Sequence, residues 1–319
     1  VTTTPPVIFI IFNRPDTVRK TFESIRAAKP SKLFVVADGP RADRPGEADK
    51  CAATRAIIDE VDWQCEVQRN FSETNLGCRN RVTSGITWAF AHVEDAIILE
   101  DDCVPSASFF SYCADLLDRY ANDERVMMIS GQNHLFGRAS TSESYYFSRY
   151  PHMMWGWATW RRAWMKYDAK TTYWPEIRNR KLFDQYFAGK RERYYWESIL
   201  QFIHEGENDS IWDYQWFYSM WANSGLCATP ARNLVRNIGL AGAATHTHTK
   251  YDKFYATLNA EELDFPLSHP TTLIASSDKD QLEVRLRFKY HTRGLLGMYF
   301  NYLAFKVLIR RAITNVRNR

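Results

Sequence analysis

Short apolar runs alternate with amphipathic stretches over the first 130 residues. Val7–Phe12, Leu33–Ala37, Ile97–Leu99 and Val126–Ser130 read as buried strands, because a strand covered on both faces shows a near-continuous apolar run. Gln64–Arg69 reads as a further strand before the turn at Asn75-Leu76-Gly77. Helical patterns lie between the runs. Pro15 and Asp16 suit a helix start, and Val18, Phe22 and Ile25 keep helical spacing. More helices are expected at about Glu47–Glu60, Arg79–Ala91 and Ser106–Tyr120. Strands alternating with helices predict an α/β fold with a mostly parallel central sheet and right-handed crossovers.

After Gly131 the pattern changes. Residues 145–165 are aromatic and irregular, with helices expected near 180–188, 191–205 and 212–223. Short strands are expected at Leu226–Thr229 and Asn233–Arg236, then a polar Gly/Ala/Thr-rich loop over 237–250 and a coil-rich connector over 251–280.

The run Ala96–Leu99 ends in three consecutive acids, Glu100, Asp101 and Asp102, before Cys103-Val104-Pro105 break it. Ligands of open α/β sheets sit outside the carboxyl ends of the strands. Three acids at such an edge repel one another. A hard divalent cation relieves that repulsion and can hold a diphosphate. The other reading is a capping role for the next helix.

Composition narrows the class. Of 319 residues, 45% are hydrophobic and 24% charged, as in ordinary globular chains. Aromatics reach 15% with 11 Trp, which suits sugar stacking as well as plain core packing. The six Cys form no CxxC or CxxH pair, which argues against a zinc or redox motif and for reduced thiols in a reducing compartment. The first residue is Val1, so an upstream segment could have been removed. Net charge is +4, but residues 284–319 carry nine Lys/Arg and no acid, leaving −5 for residues 1–283. An acidic body argues against nucleic-acid binding and gives the basic tail its own partner.

The order of these features resembles that of GT-A glycosyltransferases, in particular the N-acetylglucosaminyltransferase type that starts N-glycan branching and its relatives acting on O-mannose. The residues that carry the resemblance are Val7 to Pro15 with Thr17-Val18-Arg19, then Ala37-Asp38-Gly39, then Leu99-Glu100-Asp101-Asp102 with Pro105 and Phe109-Phe110, and late Trp212-Asp213. It covers roughly residues 5–250. It implies a Rossmann-like GT-A catalytic domain over 1–250, with a nucleotide-binding half at 1–130 and an acceptor and catalytic half at 131–250. Residues 251–319 would form the connector and a basic amphipathic C-terminal extension.

The resemblance also implies roles. Arg14 and, more weakly, Arg79 would meet the nucleotide, and Asp38 would accept the uracil N3–H. Asp102 would bind Mn2+ or Mg2+, Asp101 would reach donor-sugar hydroxyls, and Glu100 would lie near the ribose. Asp213, in the first turn of a helix whose dipole favours a carboxylate, would act as general base. Glu205 and Glu207 are the spare candidates. His246, or else His248, would meet the metal or a phosphate oxygen from the late loop. The cluster Met153 to Trp160 reads either as a sugar-stacking wall, with Gly156 admitting a ligand, or as a hydrophobic plug.

The expected function is therefore an inverting, metal-dependent transferase. It would move sugar from a nucleotide-diphosphate donor, expected to be UDP-linked, to a hydroxyl of a glycan or lipid-linked acceptor. A nucleotidyltransferase is the rival, but that class carries a glycine-rich loop where this chain has Asn13-Arg14-Pro15. A catalytically silent carbohydrate-binding protein is the second rival; Glu100, Asp101, Asp102 and Asp213 together argue against it. Leu295–Ile313 is apolar but interrupted by Asn301, Lys306, Arg310 and Arg311. That pattern suits a helix lying in an anionic membrane interface better than one crossing the membrane. It points to a cytoplasmic protein, peripheral at the inner face of the membrane.

Overall fold

A computed structural model describes residues 3–151, 154–187, 189–206, 210–241 and 255–290. The expected α/β units are present. β1 (Val7–Ile11), α1 (Pro15–Ala28), β2 (Lys32–Ala37), α2 (Glu47–Ala56), β3 (Glu66–Phe71), α3 (Cys78–Phe90) and β4 (Asp95–Glu100) alternate along the chain. β5 (Cys103–Pro105), α4 (Ala107–Arg119) and β6 (Val126–Ser130) follow, then β7 (Tyr145–Ser148), β8 (Trp157–Trp160) and α5 (Arg161–Trp164). The rest comprises α6 (Trp174–Asn179), α7 (Phe183–Tyr186), α8 (Lys190–His204), α9 (Asp213–Ala222), β9 (Leu226–Pro230), β10 (Val235–Asn237) and α10 (Ser277–Tyr290).

Eight strands form one sheet in the order β3-β2-β1-β4-β8-β6-β9-β7, and β10 pairs with β5 in a small second sheet. β1, β2, β3 and β4 are parallel, as are β6 and β9, whereas β8 and β7 pair antiparallel to their neighbours. The class is thus a Rossmann-like α/β fold with a mostly parallel central sheet.

Alternate residues of each inner strand supply opposite faces. Ile8, Ile10, Phe34, Val36 and Ile98 join one apolar cluster, while Val7, Phe9, Leu33, Val35, Ile97 and Leu99 join the other. Burial of both faces is why these segments read as continuous apolar runs.

Two stretches depart from expectation. The irregular region over 145–165 holds β7 and β8, both fully buried strands. Trp157 has no exposed surface and packs against Trp164, Trp212 and Trp216 at 5.7–6.3 Å between ring centroids. Gly156 sits at φ +76°, and a Cβ there would meet the Val235 side chain at 2.7 Å. The glycine therefore admits protein, not ligand, and Trp157 belongs to a hydrophobic plug; the sugar-wall reading of Trp157 is corrected.

Residues 255–280, expected as a connector, pack into the body. Glu262 accepts the Ala107 and Ser108 amides at 3.1 and 2.8 Å, capping α4. The Ser276 amide donates to the Phe147 carbonyl at 2.8 Å. Asp280, 1% exposed, accepts from Ser148 Oγ at 2.6 Å and pairs with Arg149 Nε at 3.2 Å. The start of the expected extension is likewise a packed helix, α10, with Leu286 buried. The remaining tail, residues 291–319, lies outside the described residues. No helix among the described residues is long and apolar enough to cross a membrane.

Candidate active site

The parallel register sets the site. Ile10 pairs with Glu100 and Ile11 with Ala37, so β1, β4 and β2 end together. Arg14, Asp38 and the triplet Glu100-Asp101-Asp102 therefore emerge at one sheet edge, the carboxyl edge where such folds bind ligands. α9 ends just before β9, whose first amide donates to the Arg125 carbonyl at 2.7 Å, at the opposite edge. The head of α9, with Asp213, therefore returns to the carboxyl edge.

Arg14 is committed to the acids. Its Nε donates to Asp101 Oδ2 at 3.1 Å, its Nη2 to Asp101 Oδ1, and Nη2 also lies 3.1 Å from Asp102 Oδ2. Partial burial opposes its charge, but Asp101 and Asp102 outweigh that and hold the guanidinium firmly protonated. Its expected contact with the nucleotide would have to come from the same fork that grips Asp101.

Burial raises the proton affinity of Glu100, and the charges of Asp102 and Asp101 add to it, pushing its pKa up to about 8. Burial also raises Asp101, with Arg14 opposing the shift. Burial and mutual repulsion thus push Glu100 and Asp101 toward their protonated forms, against the pull of Arg14.

Asp102 is 8% exposed. Its Oδ1 accepts from Asn237 Nδ2 at 3.5 Å, and its carbonyl accepts the Ile238 amide at 2.9 Å. A Cβ on Gly239 would come within 2.2 Å of Asp102 Oδ2, so only glycine leaves that oxygen its space. Asn237 Oδ1 fixes the turn by accepting the Gly239 and Leu240 amides at 2.9 and 3.2 Å.

Among the described residues no group of three or more His, Cys, Asp or Glu is arranged to hold a metal ion. To a hard cation the residues present would offer one carboxylate, Asp102, whose Oδ2 already lies 3.1 Å from Arg14 Nη2.

Asp38 serves the protein itself. Its Oδ1 accepts the Gly39 and Leu76 amides, each at 2.9 Å, and its Oδ2 accepts Asn75 Nδ2 at 3.1 Å and the Gly77 amide at 3.2 Å. Four donors match the capacity of a carboxylate. Asp38 thus builds the turn that carries the chain into α3, and its expected role toward the uracil N3–H would fall to a carboxylate that already accepts four hydrogen bonds.

Cys78 and Arg79 open α3. Desolvation, then the charges of Glu100, Asp213, Asp38 and Asp101, push the Cys78 thiol up to about 12, so the four acids lie within electrostatic range of Cys78. Arg79 and Asp213 both act on Tyr167, whose hydroxyl donates to the Trp212 carbonyl at 3.1 Å. Arg79 and Asp213 thus both lie within electrostatic range of Tyr167.

Burial raises the proton affinity of Asp213; its own amide, the Tyr214 amide and the charge of Arg287 oppose the rise. Glu205 is exposed at the C-terminal end of α8, where it accepts from Gln201 Nε2 at 2.9 Å. Glu207, His246 and His248 lie outside the described residues.

Sequence reasoning missed Asn237, Gly239 and Glu47. Glu47 accepts from Asn13 Nδ2 at 2.8 Å and from the Arg41 amide at 2.7 Å, bracing the turn that carries Arg14. Only Gly239 left a signal, the glycine-rich start of the late loop.

No protein-family model matches the chain, and no curated protein matches it. Among solved structures it is similar to a mannosyltransferase from Pyrobaculum calidifontis in complex with GDP-Man and Mn2+, at 16% identity and a TM-score of 0.33, over 50% of this chain and 45% of that one. It is also similar to the inositol-1-phosphate CTP transferase from T. maritima, at 8% identity and a TM-score of 0.37, over 81% of this chain and 98% of that one. Likenesses this slight carry no argument about activity.

Proposed function

We propose that the protein is an inverting glycosyltransferase of the GT-A kind that uses a nucleotide-diphosphate sugar, expected to be UDP-linked, and a hydroxyl acceptor on a glycan or lipid-linked glycan. The observation that supports this reading is the ion-paired group Arg14, Asp101 and Asp102 at the carboxyl edge where β1 and β4 end, the edge to which the head of α9 returns. In this reading Asp101, oriented by Arg14, accepts hydrogen bonds from the donor sugar. Asp213 takes the proton of the acceptor hydroxyl as its oxygen attacks the anomeric carbon. The bond from that carbon to the diphosphate oxygen breaks in the same step, which inverts the centre. Asp102 would hold Mn2+ or Mg2+, which when bound would offset charge on the leaving diphosphate.

A thermal-shift panel of UDP-, GDP- and dTDP-sugars with and without Mn2+ tests the donor half of the reading, since a ligand of the native state raises the unfolding temperature. Stabilisation by one nucleotide-diphosphate sugar that needs Mn2+ and vanishes in a folded Asp102→Ala variant is expected. No shift with any donor, or an equal shift in that variant, would overturn it.

A further inference from the structure

We infer that Asn237, at the end of β10, is the positioning residue of Asp102: it ties one carboxylate oxygen to the protein and so keeps the other turned toward Arg14 and the donor. The two oxygens stand in different surroundings. Oδ1 accepts from Asn237 Nδ2 at 3.5 Å and from the Cys103 thiol at 3.6 Å. Oδ2 lies 3.1 Å from Arg14 Nη2 and fills the gap at Gly239, where a Cβ would stand 2.2 Å away. Contact at Oδ2 alone would leave the carboxylate free to turn about its Cβ–Cγ bond, a broad and nearly two-fold torsion. Contacts at Oδ1 remove that freedom. Asn237 and Cys103 are both buried, so bulk water does not compete for that oxygen.

The β5–β10 ribbon holds Asn237 at this place. Asn237 stands opposite Cys103 in the antiparallel pair, and the Ile238 amide donates to the Asp102 carbonyl at 2.9 Å. The ribbon thus reaches the main chain of the acid itself. The orientation of the Asn237 amide follows from its other partners. Its oxygen accepts the Gly239 and Leu240 amides at 2.9 and 3.2 Å. A flipped side chain would set its NH2 against two N–H donors and its oxygen against the carboxylate, so the nitrogen faces Asp102. Asparagine supplies both halves, an acceptor for the turn and a donor for the acid.

The inference rests on the proposed function only in giving Asp102 a task toward the donor, so its test begins without ligand. Crystal structures of wild type and Asn237→Ala, both free of metal and nucleotide, read the Asp102 side chain directly. In the variant the carboxylate should turn and Oδ2 should leave Arg14. UDP binding in the presence of Mn2+, measured by calorimetry well below the unfolding temperature, should weaken about tenfold or more, the scale of one hydrogen bond to a charged group. A residue that only built the turn would lower the unfolding temperature and leave both readings unmoved. Gly239→Ala gives a second arm. The backbone at Gly239 is not left-handed, so it accepts alanine, and the new methyl must displace Oδ2. UDP binding should weaken there as well.

If Asn237→Ala does not fold, Asn237→Asp decides, because it keeps an oxygen for the two turn amides and withdraws the donor from Asp102. Its Asp102 carboxylate should turn likewise. The wild-type orientation of Asp102 in the folded variant would overturn the inference. A turned carboxylate with UDP binding unchanged, or with no UDP binding in wild type, would support the positioning by Asn237 and overturn the task given to Asp102.

Discussion

Arg14 grips both carboxylate oxygens of Asp101, Nε on Oδ2 at 3.1 Å and Nη2 on Oδ1, while the same Nη2 lies 3.1 Å from Asp102 Oδ2. One cation thus restrains two of the three acids that end β4. Arg14→Met leaves those acids uncompensated. Breaking a fully buried pair costs roughly 3–5 kcal/mol, and the partial exposure of Arg14 lowers the expected loss to roughly 1–3 kcal/mol. Urea unfolding of the variant without added metal measures it. A loss below about 0.5 kcal/mol, the range of an ordinary surface substitution, would mean that Arg14 does not hold the triplet.

In the proposed reading Asp213 takes a proton and does not bind the donor. Asp213→Asn should keep donor binding and lose turnover by roughly 10²–10⁴-fold, the range for removing a general base. Calorimetric titration of the donor and steady-state rates read the two effects separately. Near-normal turnover would move the role to Glu205 or Glu207.

Glu47 gives a pH signature in stability. Hydrogen bonds from Arg41, opposed by burial and assisted by the Arg41 amide and Asn13, lower its pKa from 4.5 to about 2. A depressed folded value means that the stabilisation is complete above the unfolded value and is lost as pH falls through the folded one. Wild type should therefore exceed Glu47→Gln by a constant margin between about pH 6 and 8, on the order of 2 kcal/mol after discounting the exposure of Arg41. The margin should shrink below about pH 5 and approach zero near pH 2. Denaturant titrations across that range check it; a margin that persists into acid would show that charge is not the cause.

The strands around the site were legible because their chemistry is simple. Val7–Ile11, Lys32–Ala37 and Val126–Ser130 are buried on both faces and read as apolar runs. The acids after Leu99 mark the edge because nothing in a core explains them. β8 was not legible: Trp157-Ala158-Thr159-Trp160 shows no apolar–polar alternation, and its place is set by long-range pairing with β4 and β6. α10 was hidden for the opposite reason. Asp280, Glu283 and Arg287 face inward, so its buried side reads as polar. The turn contacts of Asp38 were invisible too, since three of its four partners lie in a turn nearly forty residues away in sequence.

The packing of α10 also sets where the basic tail can be cut. Leu286 and Arg287 are buried, so a deletion from residue 284 would damage the body. Removal of residues 291–319 should leave donor binding intact and abolish sedimentation with anionic liposomes at low salt, where each basic residue near such a surface adds about 1 kcal/mol. Equal sedimentation of the full and shortened chains would contradict a membrane role for the tail.

The stereochemistry of the product tests the proposed function most directly. The donor that stabilises the protein, α-linked at its anomeric carbon, is incubated with Mn2+ and a hydroxyl acceptor, and the first product is read by proton NMR before it can equilibrate. A β-linked product, lost in Asp213→Asn while donor binding persists, is the predicted result. An α-linked product would contradict the single inverting displacement from Asp213.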